Sequence, residues 1–197
     1  MTSGAKRFAE AALALCAAAS LAAAAAAPLD AAALMRMLAS VQSTRATFVE
    51  TRYSRLLKAP LVSRGTLTYR RPDRLEKHVE SPREERLVLD GGRLSIELPD
   101  RGRTLSIEAQ AAPGVGTLIE GLRAVRAGDL GALERHFSVA VHGTREAWRL
   151  ELEPRSPGVA QYVQAVSMAG AGARLERIEV REASGDRTVT EISEHAE

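Results

Sequence analysis

Four histidines and one cysteine are the side chains best suited to metal or nucleophilic chemistry, and their spacing argues against both. His78, His136, His142 and His195 are scattered along the chain. None falls in H-x-x-x-H or H-E-x-x-H spacing, which would put two imidazoles on one helix face around a zinc ion. Cys16 lies in an apolar leader, so the chain after it has no thiol for a disulfide, a nucleophile or a metal. No G-x-S-x-G is present, so no serine is advertised as the nucleophile of an acyl hydrolase. Pro113-Gly114-Val115-Gly116 lacks the Lys and the spacing of a phosphate loop and reads as a hinge. Asp90 precedes two glycines and serves a turn, and His78 reads as a solvated strand residue. The expectation is no enzyme, no catalytic residue, no metal and no cofactor. What the spacing does offer is burial of apolar surface.

That surface comes as alternating rows. Leu67 and Tyr69 alternate with Thr66, Thr68 and Arg70; Leu94, Ile96 and Leu98 alternate with Arg93, Ser95 and Glu97. Leu75 and Val79, Leu87 and Leu89, and Leu105 and Ile107 continue the pattern, and Phe48 and Trp148 sit in further segments of the same kind. Period-two alternation puts one set of side chains on one face of a strand. The rows predict strands over Thr44–Leu57, Val62–Arg70, Arg74–Val79, Arg86–Asp90, Arg93–Leu98 and Arg103–Ala109. Turn signals such as Asp90-Gly91-Gly92 and Pro99-Asp100-Arg101-Gly102 separate them. Five more follow over Phe137–His142, Ala147–Glu153, Tyr162–Met168, Arg174–Glu182 and Arg187–Ser193.

Two stretches break the period. Leu29–Val41 reads as a helix capped by Asp30, with Leu34, Leu38 and Val41 on one face. Thr117–Ala127 places Leu118, Ile119, Leu122 and Val125 on one helical face, and Asp129–His136 follows as a second short helix. The fold class is therefore mainly β (α+β): about 11 antiparallel strands in one curved sheet, an N-terminal helix, and a helical insert after the sixth strand. The two helical stretches are the available covers for the apolar face.

Lys6 and Arg7, the Ala- and Leu-rich run from Ala11 to Ala27, and the Ala-x-Ala triplets before Pro28 have the order of a cleaved signal peptide. Residues 1–27 are expected to be that signal and residues 28–197 one domain in the periplasm. Charge is almost balanced at +2 over 197 residues, with acidic and basic residues interleaved and only 4% aromatics. That pattern argues against nucleic acid as a partner.

Three motifs in order resemble a known family. Ala46-Thr47-Phe48-Val49-Glu50-Thr51-Arg52 is similar to its first strand. Gly65-Thr66-Leu67-Thr68-Tyr69-Arg70-Arg71-Pro72-Asp73-Arg74-Leu75 resembles its G-x-L-x-x-x-R-P-x-x-L element, and Asp90-Gly91-Gly92-Arg93-Leu94 its D-G-x-x-L turn. Together they resemble the LolA/LolB lipoprotein-localisation family. The resemblance implies an unclosed β-barrel with an α-helical lid. It also implies an acylated lipoprotein or other acyl lipid as cargo, an inner-membrane transporter as donor and an outer-membrane acceptor. The matching Arg before Pro is Arg71, which the resemblance makes the residue that hydrogen-bonds the lid shut. A monomer is expected.

The residues expected to contact acyl chains are Phe48, Leu67, Tyr69, Leu75, Leu87, Leu89, Leu94, Ile96, Leu105, Ile107, Leu118, Leu122, Val125 and Trp148. Periodicity alone leaves each of them open to a plain core role. Two other functions use the same features: a lipoprotein-sensing or envelope-assembly protein built on the same barrel, and an acyl hydrolase, which would need a convergent Ser, His and acid.

Overall fold

The computed structural model describes residues 27–108, 121 and 123–194. The first helix, α1 (Ala31–Ala39), starts where Asp30 accepts a hydrogen bond from the Ala33 amide at 2.6 Å. That contact satisfies one of the free N–H groups of the first turn. It ends at Ser40, whose hydroxyl bonds back to the Met37 carbonyl. The helix is therefore shorter than the apolar spacing predicts.

Eleven strands follow: β1 (Ser43–Tyr53), β2 (Leu61–Arg70), β3 (Arg74–Ser81), β4 (Glu85–Asp90), β5 (Arg93–Leu98), β6 (Arg103–Glu108), β7 (Phe137–Gly143), β8 (Trp148–Pro154), β9 (Val163–Ala171), β10 (Arg174–Glu182) and β11 (Arg187–Glu194). β1 stops before the predicted Leu57. Ser54 turns the chain there, accepting from the Leu57 amide through its carbonyl and from the Leu56 amide through its hydroxyl. Such local bonds from Ser compete with a strand ladder. The predicted break after Pro154 contains a single helical turn, α4 (Pro157–Ala160). Earlier in the chain, helical residues 123–127 form α2 and Leu130–His136 form α3, with Asp129 capping α3 through the Ala132 amide.

All eleven strands belong to one antiparallel sheet in the order β6-β5-β4-β3-β2-β1-β11-β10-β9-β8-β7. β1 joins two meanders by pairing with both β2 and β11. The sheet does not close: β6 and β7 are its two edges, and residues 109–136 connect them.

Register puts the inward residues into rows. Ala46 stands opposite Leu67, Leu67 opposite Lys77, Lys77 opposite Leu87, Leu87 opposite Ile96 and Ile96 opposite Leu105. A parallel row runs from Thr44 through Tyr69, Leu75, Leu89 and Leu94 to Ile107. On the other meander, Thr188, Val180, Val166, Leu152 and Val139 form a third row.

These rows are covered unequally. A solid core occupies the β7–β10 half, where Leu34, Met35 and Leu38 of α1 meet Leu133, Phe137, Trp148, Leu150, Leu152 and Val166. Ala124 and Val125 of α2 join the same cluster. Trp148 is buried there with its indole N–H donated to the Gly172 carbonyl at 2.8 Å. A Cβ on Gly170 would lie 2.0 Å from the Arg174 carbonyl oxygen and 2.6 Å from the Trp148 ring, so only glycine lets both approach β9 this closely. Gly128, between α2 and α3, has φ +73° and passes so close to α1 that a Cβ would sit 2.5 Å from the Met35 carbonyl oxygen. The insert and α1 are thus in direct contact over this half.

Candidate functional site

The other half of the interior holds a cavity among the described residues. Leu67 and Tyr69 of β2, Leu75 of β3, Leu87 and Leu89 of β4 and Leu94 of β5 line a cavity of about 370 Å³. Ile178, Val180 and Ile192 form its far wall and pack against the solid core with their other sides. The size lies within the range of small-molecule pockets, and the wall is largely apolar, as such pockets are.

Not every residue expected at an acyl site reaches this wall. Val125 and Trp148 are in the solid core. Phe48 is buried beneath Lys77, whose ammonium lies 5.1 Å from the ring centroid. Ile96 and Ile107 continue the inward rows toward the β6 edge outside the cavity, and Leu105 is 56% exposed there. Leu118 and Leu122 lie outside the described residues.

Charged residues also line the cavity, Glu50, Glu76, Lys77, Arg126 and Glu194 among them, and two of these, Lys77 and Arg126, are cations that the alternating rows do not predict there. Lys77 sits two residues after Leu75 and therefore on the same inward face. Its ammonium donates to both oxygens of Glu50, at 2.8 and 2.7 Å, and Thr190 donates to the same carboxylate at 3.0 Å. The pair is only 27% and 22% exposed. Strand parity could have found it, because Glu50 follows Phe48 and Lys77 follows Leu75 by two; residue type argued for solvent instead.

The second group is Arg126 of α2. It is 6% exposed and lines the cavity, with its guanidinium 4.9 Å from the Tyr69 ring centroid. Tyr69 in turn donates to the Arg126 carbonyl at 3.4 Å, tying α2 to β2. Burial pulls the Arg126 guanidinium below its usual range, and the charge of Glu194 acts against that shift. Among the described residues no cluster of three or more His, Cys, Asp or Glu gathers to hold a metal ion.

Arg71 lies at the turn between β2 and β3. Its guanidinium donates to the Ala39 carbonyl, the last residue of α1, and its amide donates to the Gln42 carbonyl at 2.9 Å. A cation there also meets the negative end of the helix dipole.

A protein family described as outer membrane lipoprotein carrier protein LolA-like matches residues 22–197. The chain belongs to this family. Solved structures similar to it include a LolA superfamily protein from Nitrosomonas europaea, 13% identical, covering 84% of this LolA-like chain and 92% of its own at a TM-score of 0.44. Another is the domain of a putative outer membrane lipoprotein-sorting protein from Vibrio parahaemolyticus, 12% identical, covering 83% and 88% at 0.44. A third is the Pseudomonas aeruginosa MucA/MucB complex, 19% identical at a TM-score of 0.47, where the LolA-like chain spans 58% of the chain it matches. No curated protein matches the sequence. For this LolA-like chain, the open sheet, the helices packed on it and the apolar cavity are the features a binding function would use.

Proposed function

We propose that this LolA-like protein is a periplasmic carrier that binds acyl chains of lipoproteins, or of related acylated lipids, and ferries them toward the outer membrane. The observation that carries this reading is the apolar cavity of about 370 Å³ beneath the inward rows of β2–β5 and β10–β11. An acyl chain in water gains about 0.8 kcal/mol for each methylene it buries, and this wall of Leu and Ile side chains is where burial would occur. Residues 1–27 act as the export signal and residues 28–197 as the binding domain. An inner-membrane transporter supplies the cargo and an outer-membrane acceptor takes it. Among the described residues no helix is long and apolar enough to cross a membrane.

Within this reading α1 and the insert are the cover, and Arg71 clips the end of α1 to the β2–β3 turn. Release then requires the cover to move, and the contacts that differ between covered and uncovered states set that balance.

The test is uptake. Purified protein is incubated with a radiolabelled acylated lipid and the bound fraction is separated by size. Uptake should be lost in Leu89→Glu, because a buried carboxylate without a partner is costly where the chain would lie. A wild-type protein that is isolated lipid-free and takes up no acyl lipid refutes the proposal.

A further inference from the structure

The most exposed large apolar side chain among the described residues stands at the tip of the β1–β2 hairpin. Leu56 is 94% exposed there, and Leu57, Leu61 and Val62 beside it are exposed as well. Single exposed leucines are ordinary, but large apolar side chains gathered on one tip mark a contact surface. The base of the tip is fixed. Arg52 and Leu61 form the last ladder pair, Ser54 binds the Leu56 and Leu57 amides, and the Arg55 guanidinium donates to the Ser184 carbonyl of the β10–β11 turn at 2.6 Å.

The charge around the tip indicates what it meets. The sequence has no acidic residue between Glu50 and Asp73, although acids and bases are interleaved elsewhere. Arg52 is engaged by Glu182 and Asp186. Lys58 and Arg64 are exposed, and neither side chain has an ion pair or hydrogen bond among the described residues. We propose that this hairpin docks the protein on an anionic membrane surface. Leu56 and Leu57 enter the boundary between headgroups and acyl chains, and Lys58 and Arg64 meet lipid phosphates. Apolar and basic side chains together, without acids, are the composition that suits such an interface. Two leucines and two cations give weak, reversible binding, as for a protein that visits a membrane. β1 and β2 also carry Glu50 and Leu67 of the cavity wall, so docking brings that wall to the bilayer. The inference does not depend on what the cavity holds.

The experiment sediments purified protein with vesicles of phosphatidylcholine, alone or mixed equally with phosphatidylglycerol. The wild type should partition onto the mixed vesicles about tenfold or more better than onto the neutral ones, since each cation near an anionic surface adds about fivefold. Lys58→Ser with Arg64→Ser should bring that ratio to within about threefold. Leu56→Ser with Leu57→Ser should lower binding to the mixed vesicles about tenfold or more. All four positions are exposed, so urea midpoints should stay near the wild type. In Leu56→Trp, lipids brominated along the acyl chain should quench the new indole and spare Trp148, which is buried. The proposal is overturned by no binding to mixed vesicles, by equal binding to both kinds, by leucine variants that bind like the wild type, or by an indole that brominated lipid leaves unquenched. Each of those results leaves the acyl-binding reading untouched, which uptake of labelled lipid tests separately.

Discussion

The Lys77–Glu50 pair offers the sharpest test of the interior, because an ion pair on an apolar wall can be removed in two ways with opposite results. At 2.7 Å and an effective dielectric of about 20, the gross attraction is about 6 kcal/mol. Desolvation of two charges that are roughly three-quarters buried offsets most of it, so the intact pair contributes little net stability. Breaking the pair is different. Lys77→Met leaves the Glu50 carboxylate with Thr190 as its remaining partner among the described hydrogen bonds. We expect a loss of about 2 kcal/mol, below the 3–5 typical of fully buried pairs because water reaches part of this one. Lys77→Met with Glu50→Leu removes both charges, and the double variant should return to within about 1 kcal/mol of the wild type. Glu50→Leu alone strands the Lys77 ammonium and should cost a similar ~2 kcal/mol, so the coupling energy of the cycle would be about 3 kcal/mol. Urea unfolding can follow this through the fluorescence of Trp148, the only tryptophan and one that is buried in the core. Equal destabilisation by the single and double variants would show that the stems of these side chains, not their charges, matter, and would refute the reasoning.

Further outcomes follow from single sites. Gly128→Ala must place a methyl against the Met35 carbonyl at a left-handed φ, and should lower stability by more than about 1 kcal/mol in the same assay. Arg71→Leu removes the contact to the end of α1; hydrogen exchange of the α1 amides should speed up while the β7–β10 strands keep their protection. Glu179 on β10 is pushed up by burial, but hydrogen bonds from Arg181 and Arg177 outweigh this and hold its carboxyl below the usual range. Its folded-state value is depressed, so its contribution is present above the unfolded value and is lost as pH falls through the folded one. Glu179→Gln should therefore flatten the decline in stability below about pH 4.5, measured as urea midpoints across pH.

The strands were legible because each hairpin announces itself twice, by alternation and by its turn. Asp90-Gly91-Gly92 and the rows on either side fall where β4 and β5 meet. The division of the interior was not legible. Leu89 and Leu150 stand in similar alternating rows, yet one lines the cavity and the other lies in the solid core. What separates them is where α1, α2 and α3 settle, a tertiary outcome that leaves no mark on strand periodicity. The same limit hid Lys77, Glu50 and Arg126. Arg126 is four residues after Leu122, on the face predicted to turn inward, but an arginine is ordinarily solvated and only its packing on Tyr69 shows otherwise. Alternation in β10–β11 marks strands but not a cavity wall, since Ile178, Val180 and Ile192 also suit a core.

Cavity size sets a limit that can be measured by ligand length. A methylene takes up close to the ~30 Å³ of a water molecule in the liquid, so about 370 Å³ accommodates on the order of twelve of them. Binding across a series of saturated acyl methyl esters should tighten about fourfold per added methylene, the equivalent of 0.8 kcal/mol. The gain should fade near twelve carbons, where further methylenes find no wall. The gross gain at that point is about 10 kcal/mol, of the same order as the cost of immobilising a ligand. On the proposed reading this balance suits a carrier, which must hold its cargo and still release it. Isothermal titration or competition binding over C8 to C18 esters measures the slope and the break together. An unbroken slope through C18 would mean that the cover moves aside to lengthen the cavity, and a slope near zero would mean that the chain does not enter it.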